Sequence, residues 1–112
     1  MYKLYAFWSA PKAEDVAAFE EHYEKVHFPL AARVPHLESI AESVTSDSFE
    51  GAEPLHYRIA EMAFADREAF QASTGSPEWA EMRADSGLLI ERFGVGLTVA
   101  MGDVVVSDPL RD

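Results

Sequence analysis

The chain has 112 residues, no cysteine and a formal net charge of −11, from 20 acidic against 9 basic residues. That length predicts one domain, 1–112, and a 48% hydrophobic composition is enough for a core and too much for disorder. The acidity argues against nucleic acid and anionic membranes as partners, and the missing cysteines exclude disulfides, thiolate catalysis and cysteine metal sites.

Met1 to Tyr5 lacks the basic region and apolar run of a signal peptide, and no window is long enough to span a membrane. A cytoplasmic location is therefore expected. Residues 2–8 are aromatic-rich and end at a proline turn, which predicts a strand. Glu14 and Asp15 suit the first turn of a helix, where the dipole favours acids. Val16, Phe19, Tyr23, Val26 and Leu30 then recur at spacings of three and four, giving one apolar stripe. Pro29 lacks a backbone donor and biases Phe28 away from helical geometry, so the helix is predicted to break at His27. Pro35 ends its short continuation.

Residues 37–46 predict a second strand, 47–54 a polar loop and 55–64 a third strand. Asp66 reads as the cap of a helix running to Ala72, and Ser76-Pro77 as the start of another that stops at Gly94. Residues 95–106 predict a last long strand. The order β-α-β-β-α-β is the ferredoxin-like split arrangement, an α+β fold with a four-stranded antiparallel sheet and helices on one face. In the outer-sequence strands both faces are apolar: Leu4, Ala6 and Trp8 against Tyr5 and Phe7, then Val95, Leu97, Val99 and Met101 against Ala100, Val104 and Val106. A sheet wetted on one side would alternate with polar residues. Two helices cover one face only, so a second copy is expected on the other, making a homodimeric barrel.

Tyr23 and His27 stand at i, i+4 on one helix face, where each is in reach of the other. His27 is the first candidate for an acid–base group, because imidazole titrates near physiological pH; the bland alternative is a helix-end histidine bonded to its own carbonyls. Tyr23 is either core packing or the group that holds the His27 ring, and a buried phenol needs a partner in either case. His22 and His27 are five apart, which an α-helix does not place on one face, and no paired-histidine metal motif is present. Glu42 and Glu61 share strand parity with apolar neighbours, so either would be raised in pKa if buried, although a wetted face is the commoner outcome. Asp85 is expected near a helix end, paired with Arg83 or Arg92 or turned toward the site. Phe7, Trp8, Tyr57, Trp79 and Met82 are candidates to line a pocket for a ring-shaped apolar ligand. No metal or cofactor is expected, since the chain carries no phosphate loop and no redox motif.

With Trp8-Ser9-Ala10-Pro11 before it, the run Phe19-x-x-x-Tyr23-x-x-x-His27-x-Pro29-Leu30 and Val34-Pro35 resembles the N-terminal signature of EthD-domain proteins. The likeness continues through Phe64-Ala65-Asp66, Ser76-Pro77-Glu78 and Ala84-Asp85. Where that pattern has Pro-Gly-Leu, this chain has Pro35-His36-Leu37, and after Asp85 it has Ser86-Gly87-Leu88-Leu89 in place of Leu-Pro-Asn-Phe. The resemblance implies a small dimeric α/β-barrel of the ferredoxin-like superfamily, named after a component of alkyl-ether degradation, with a recurrent histidine at position 27. It also implies chemistry drawn from a wide range: oxidoreductase-type reactions, cofactor-free oxygenation and isomerisation, and decarboxylation or dehydration of aromatic polyketides. On this reading His27 and Tyr23 act on a hydrophobic small molecule beside Trp8, Tyr57 and Asp85. The alternative is a non-catalytic accessory protein that captures such a molecule for a partner oxygenase system.

Overall fold

Four strands form one antiparallel sheet in the order β2-β3-β1-β4: β1 is Tyr2–Trp8, β2 Leu37–Val44, β3 Arg58–Phe64 and β4 Leu97–Asp103. The computed structural model describes residues 1–111. Helix α1 (Val16–His22) passes without a break into a π-helical turn at Tyr23–His27 and then into α2 (Phe28–Ala32). The other helices are α3 (Arg67–Thr74) and α4 (Pro77–Phe93). The ferredoxin-like fold expected from the element order is the fold observed.

The sheet register fixes which side chains meet the helices. Leu4, Ala6 and Trp8 on β1 pair with Met62, Ala60 and Arg58 on β3, and with Met101, Val99 and Leu97 on β4, so all nine point to the helical side. On β2 a register shift between Leu37 and Ser39 puts Ile40, Glu42 and Val44 on that same side. Two clusters fill the space beneath the helices. One contains Tyr2, Leu4, Phe64, Phe70 and Met82; the other contains Trp8, Phe19, Tyr23, Leu89 and Phe93. Tyr5, Phe7 and Ile59 face the opposite way and are half-buried.

The caps behave as their residues dictate. The Asp66 side chain accepts from the Ala69 N–H at 2.8 Å, and the Ser76 hydroxyl accepts from the Trp79 N–H at 3.1 Å, each satisfying a first-turn donor. Gly94 closes α4 with φ 66°, a left-handed value that glycine adopts without a Cβ clash. His36 carries φ 65° at the entry to β2, so a histidine occupies the left-handed turn position.

The last strand ends at Asp103, leaving Val104 and Val106 beyond it, and the third begins only at Arg58. The expected break in the first helix is also corrected. The helix does not break at His27, and Phe28 stays helical at φ −59°, ψ −46°. The chain instead absorbs Pro29 by widening the preceding turn, where the Phe28 N–H bonds the Tyr23 carbonyl five residues back. In a regular α-helix the Pro29 ring would press on the carbonyl of Lys25, which would also lose its donor. A π turn loosens that contact and keeps the helix axis running.

Candidate functional site

A cavity of about 380 Å³ lies between the sheet and the helices, walled mainly by apolar side chains, among them Leu4, Trp8, Met62, Trp79, Met82 and Val99. The few polar groups in its wall include Tyr23, His27, Thr74, Arg83 and Ser86. Leu97, Val99 and Met101 of β4 also line it, and Val99 and Met101 are 39% and 50% exposed.

His27 enters this wall from the π turn, 4% exposed. Its Nδ1 lies 2.8 Å from Asp85 Oδ2, and the Trp8 ring meets it edge-on at 5.5 Å between centroids. An ionised carboxylate only accepts, so the proton in that contact belongs to Nδ1. The neutral ring then carries its lone pair on Nε2. Among the described residues no side chain bonds Nε2, so it is the ring nitrogen left for a ligand in the cavity. Burial pushes the His27 pKa below its ordinary 6.5, with the Asp85 carboxylate pulling against it. The ring is therefore neutral near pH 7 and able to accept a proton.

Asp85 is held in the middle of α4, not at its end, and pairs with neither Arg83 nor Arg92. Its second oxygen, Oδ1, lies 2.8 Å from His22 Nε2. The wide π turn explains how: residues five apart in sequence come back toward one face, which a 3.6-residue turn forbids. The sequence reading that set His22 apart from His27 assumed α-helical geometry throughout.

Tyr23 is fully buried beneath Trp8 and takes a partner the sequence did not suggest. Its hydroxyl donates to Glu42, at 2.9 Å and 3.1 Å to the two oxygens, while its ring sits 5.0 Å from that of His27. Burial, followed by the Glu42 charge, drives the Tyr23 pKa far up, so the phenol remains protonated. Glu42 is itself raised by burial, opposed by the Tyr23 hydrogen bond and by Arg58. Arg58 is 3% exposed, lies over the Tyr23 ring at 4.1 Å, and ion-pairs with both Glu20 and Glu42. None of Glu20, Glu42 and Arg58 lines the cavity.

The structure thus gathers His27, Tyr23, Trp8 and Asp85 into one site. Tyr57 is elsewhere: it packs against Phe19 at 6.1 Å and does not line the cavity. Glu61 faces the opposite side of the sheet and contacts Lys3 at 3.4 Å. Sequence reasoning missed His22 and Arg58. A proline two residues after His27 was the available hint for the first, since widening the preceding turn is one way a helix accommodates it; an arginine inside an apolar strand was the hint for the second. Among the described residues no group of three His, Asp or Glu side chains is arranged to hold a metal. The two imidazoles spend their inner nitrogens on one carboxylate and do not converge on a shared point.

A four-stranded antiparallel sheet packed against helices, with an apolar cavity and a histidine–carboxylate pair in its wall, defines an α+β protein of ferredoxin-like fold. Residues 12–92 match the EthD domain, and the chain belongs to that family. It is 32% identical over 85 residues to an uncharacterized 11.0 kDa protein in the thcB-thcC intergenic region of Rhodococcus erythropolis, covering 76% of this chain and 80% of that protein. The crystal structure of an ethyl tert-butyl ether degradation (EthD) family protein from Bacillus halodurans superimposes with a TM-score of 0.77 at 28% identity, covering 94% of this chain and 99% of that one. A variant of SnoaB, a cofactor-independent oxygenase from Streptomyces nogalater, shares the fold with a TM-score of 0.66 at 14% identity, over 97% of each chain.

Proposed function

We propose that this EthD-family protein binds a hydrophobic, ring-shaped metabolite in its cavity and performs cofactor-free acid–base chemistry on it through His27. The observation that carries the reading is the bond from His27 Nδ1 to Asp85 in the wall of an apolar cavity. It leaves Nε2 as a neutral base where a ligand O–H or acidic C–H would lie. The proton passes to Nε2, and the bonding electrons stay on the ligand as a phenolate, enolate or related anion. Asp85 supports the imidazolium that results, and Tyr23 and Trp8 hold the ring. An anion of that kind is the starting point of oxidoreductase-type and oxygenation reactions, which agrees with a cofactor-independent oxygenase on the same fold. Tyr57 has no part in this account.

A second reading follows from the same wall: with so few polar groups facing the cavity, the protein captures an apolar metabolite and delivers it to a partner oxygenase system without turning it over. In both readings it is a cytoplasmic homodimer. Support for the dimer comes from Tyr5, Phe7 and Ile59 on the sheet face that the protein's own helices leave uncovered, and from Val105 and Val106, which are 93% and 82% exposed. Mass spectrometry of the denatured, purified protein identifies what it carries. An apolar molecule with an acidic proton is expected, recovered chemically changed if the protein is an enzyme and unchanged if it is a carrier. A polar or phosphorylated molecule would contradict both readings.

A further inference from the structure

His22 belongs to no role described so far, yet the chain widens a helical turn and places it on the carboxylate that holds His27. We propose that His22 is a positioning residue: it holds the Asp85 carboxylate in one orientation against His27 and lets the outer surface govern how tightly Nε2 holds a proton in the cavity. The inference rests on the reading that Nε2 of His27 is the working atom.

The geometry is a carboxylate with one imidazole on each oxygen, at 2.8 Å on both sides. Two ring nitrogens at that distance from carboxylate oxygens each need a proton in the contact, so ionised Asp85 accepts from His22 Nε2 and His27 Nδ1 together. Each oxygen then faces one donor, and the carboxylate is held in a single orientation. The two rings border different hollows. His27 lines the apolar cavity, whereas His22 lines a separate polar depression with Glu21, Lys25 and Arg92. The His22 side chain is 16% exposed, so its Nδ1 can exchange a proton with water while His27 stays enclosed.

When His22 gains a proton, its charge stands against the same carboxylate that supports His27. Asp85 then offers less to a second cation, and Nε2 becomes a weaker base. The other charged groups around the pair are Arg83 and Arg92 on α4, Glu21 and Lys25 on the helix of His22, Arg58 on β3, and Glu42 on β2, bonded to Tyr23. None of them bonds either oxygen of Asp85 among the described residues, so His22 has the direct hold on it.

The test is two-bond ¹H–¹⁵N spectroscopy of the histidine rings in uniformly ¹⁵N-labelled protein, from about pH 5 to 8, where histidine titrates. In the wild type, neutral His27 should carry its proton on Nδ1, and its titration curve should show a second inflection as His22 charges. His22→Gln keeps an N–H donor without a titrating charge, so the tautomer should persist and the second inflection vanish. His22→Phe removes donor and charge, and His27 should hold its proton at least about threefold more tightly. A His27 curve identical in wild type and His22→Gln would overturn the proposal, as would an Nε2-protonated tautomer in the wild type. The glutamine arm decides alone if the phenylalanine variant does not fold. Ligand experiments on His27→Asn do not bear on this coupling, so the site's function and its dependence on His22 fail separately.

Discussion

At His27 two demands meet, since the ring must stay neutral in an apolar wall and must still be able to receive a proton. Burial meets the first by lowering its pKa, and Asp85 meets the second by supporting the cation once it forms. This has a consequence for stability. With a folded value below 6.5, the unfolded chain protonates first as pH falls. The stability this represents is fully present above about pH 6.5 and is lost as pH drops through the folded value. Glu42 has the opposite sign: raised above 4.5, its contribution is present below that pH and is lost as pH rises through its folded value. Urea midpoints measured across this range should show a positive pH slope just below 6.5 that flattens in His27→Gln, while Glu42→Gln should steepen the net rise by removing the opposing contribution. Unchanged slopes in both variants would mean that neither group is held as described. Tyr23→Phe leaves Glu42 without its hydroxyl donor while Arg58 remains, so a loss of about 1 kcal/mol in unfolding free energy is expected. A change below a few tenths would show that the phenol's bond to Glu42 contributes nothing net.

Among the elements, the π turn and the entry to β2 show where local sequence stops being readable. Strands and caps were legible because each depends on its own residues: the aromatic-rich run of β1 ending at a proline turn, Asp66 before α3, and Ser76-Pro77 before α4. Pro29 was also legible as a disturbance, but not its outcome. A proline can break a helix, kink it or widen one turn, and which occurs depends on what the widened turn gains; here that is a bond from His22 to a carboxylate 63 residues away. The same limit hid Glu42 as the partner of Tyr23 and misplaced Tyr57, since both depend on register across the sheet. His36 shows a local choice made against the backbone. At φ 65° a glycine would be relaxed, and a histidine is strained. His36→Gly should raise the unfolding free energy by about 0.5–1 kcal/mol, after allowing for the greater freedom of glycine in the unfolded chain. A lower midpoint in the variant would mean that the His36 side chain makes contacts worth more than the strain.

As a whole the molecule is a slab of 44 × 44 × 19 Å with a radius of gyration of 15.4 Å. A compact chain of this size would have a radius of about 13 Å, so mass lies away from the centre in extended segments. Exposed Phe49, Leu55, Val105, Val106 and Leu110 lie on those segments, all more than 80% exposed. A second copy laid against the sheet would cover the open face and give the segments something to pack on. No described helix is long and apolar enough to cross a membrane. Sedimentation equilibrium at micromolar concentration should return twice the chain mass, and a monomer would remove the barrel from this account. The central claim is narrower: an apolar, acidic ligand in the cavity is held by His27 Nε2. The most direct measurement is calorimetric titration of a bicyclic phenol such as 2-naphthol into the wild type and His27→Asn, with folding of both checked by thermal unfolding. The account predicts saturable binding to the wild type, weakened in the variant by about 1.5–3 kcal/mol for a lost charge-assisted hydrogen bond. Equal affinities, or no saturable binding to the wild type, would contradict it.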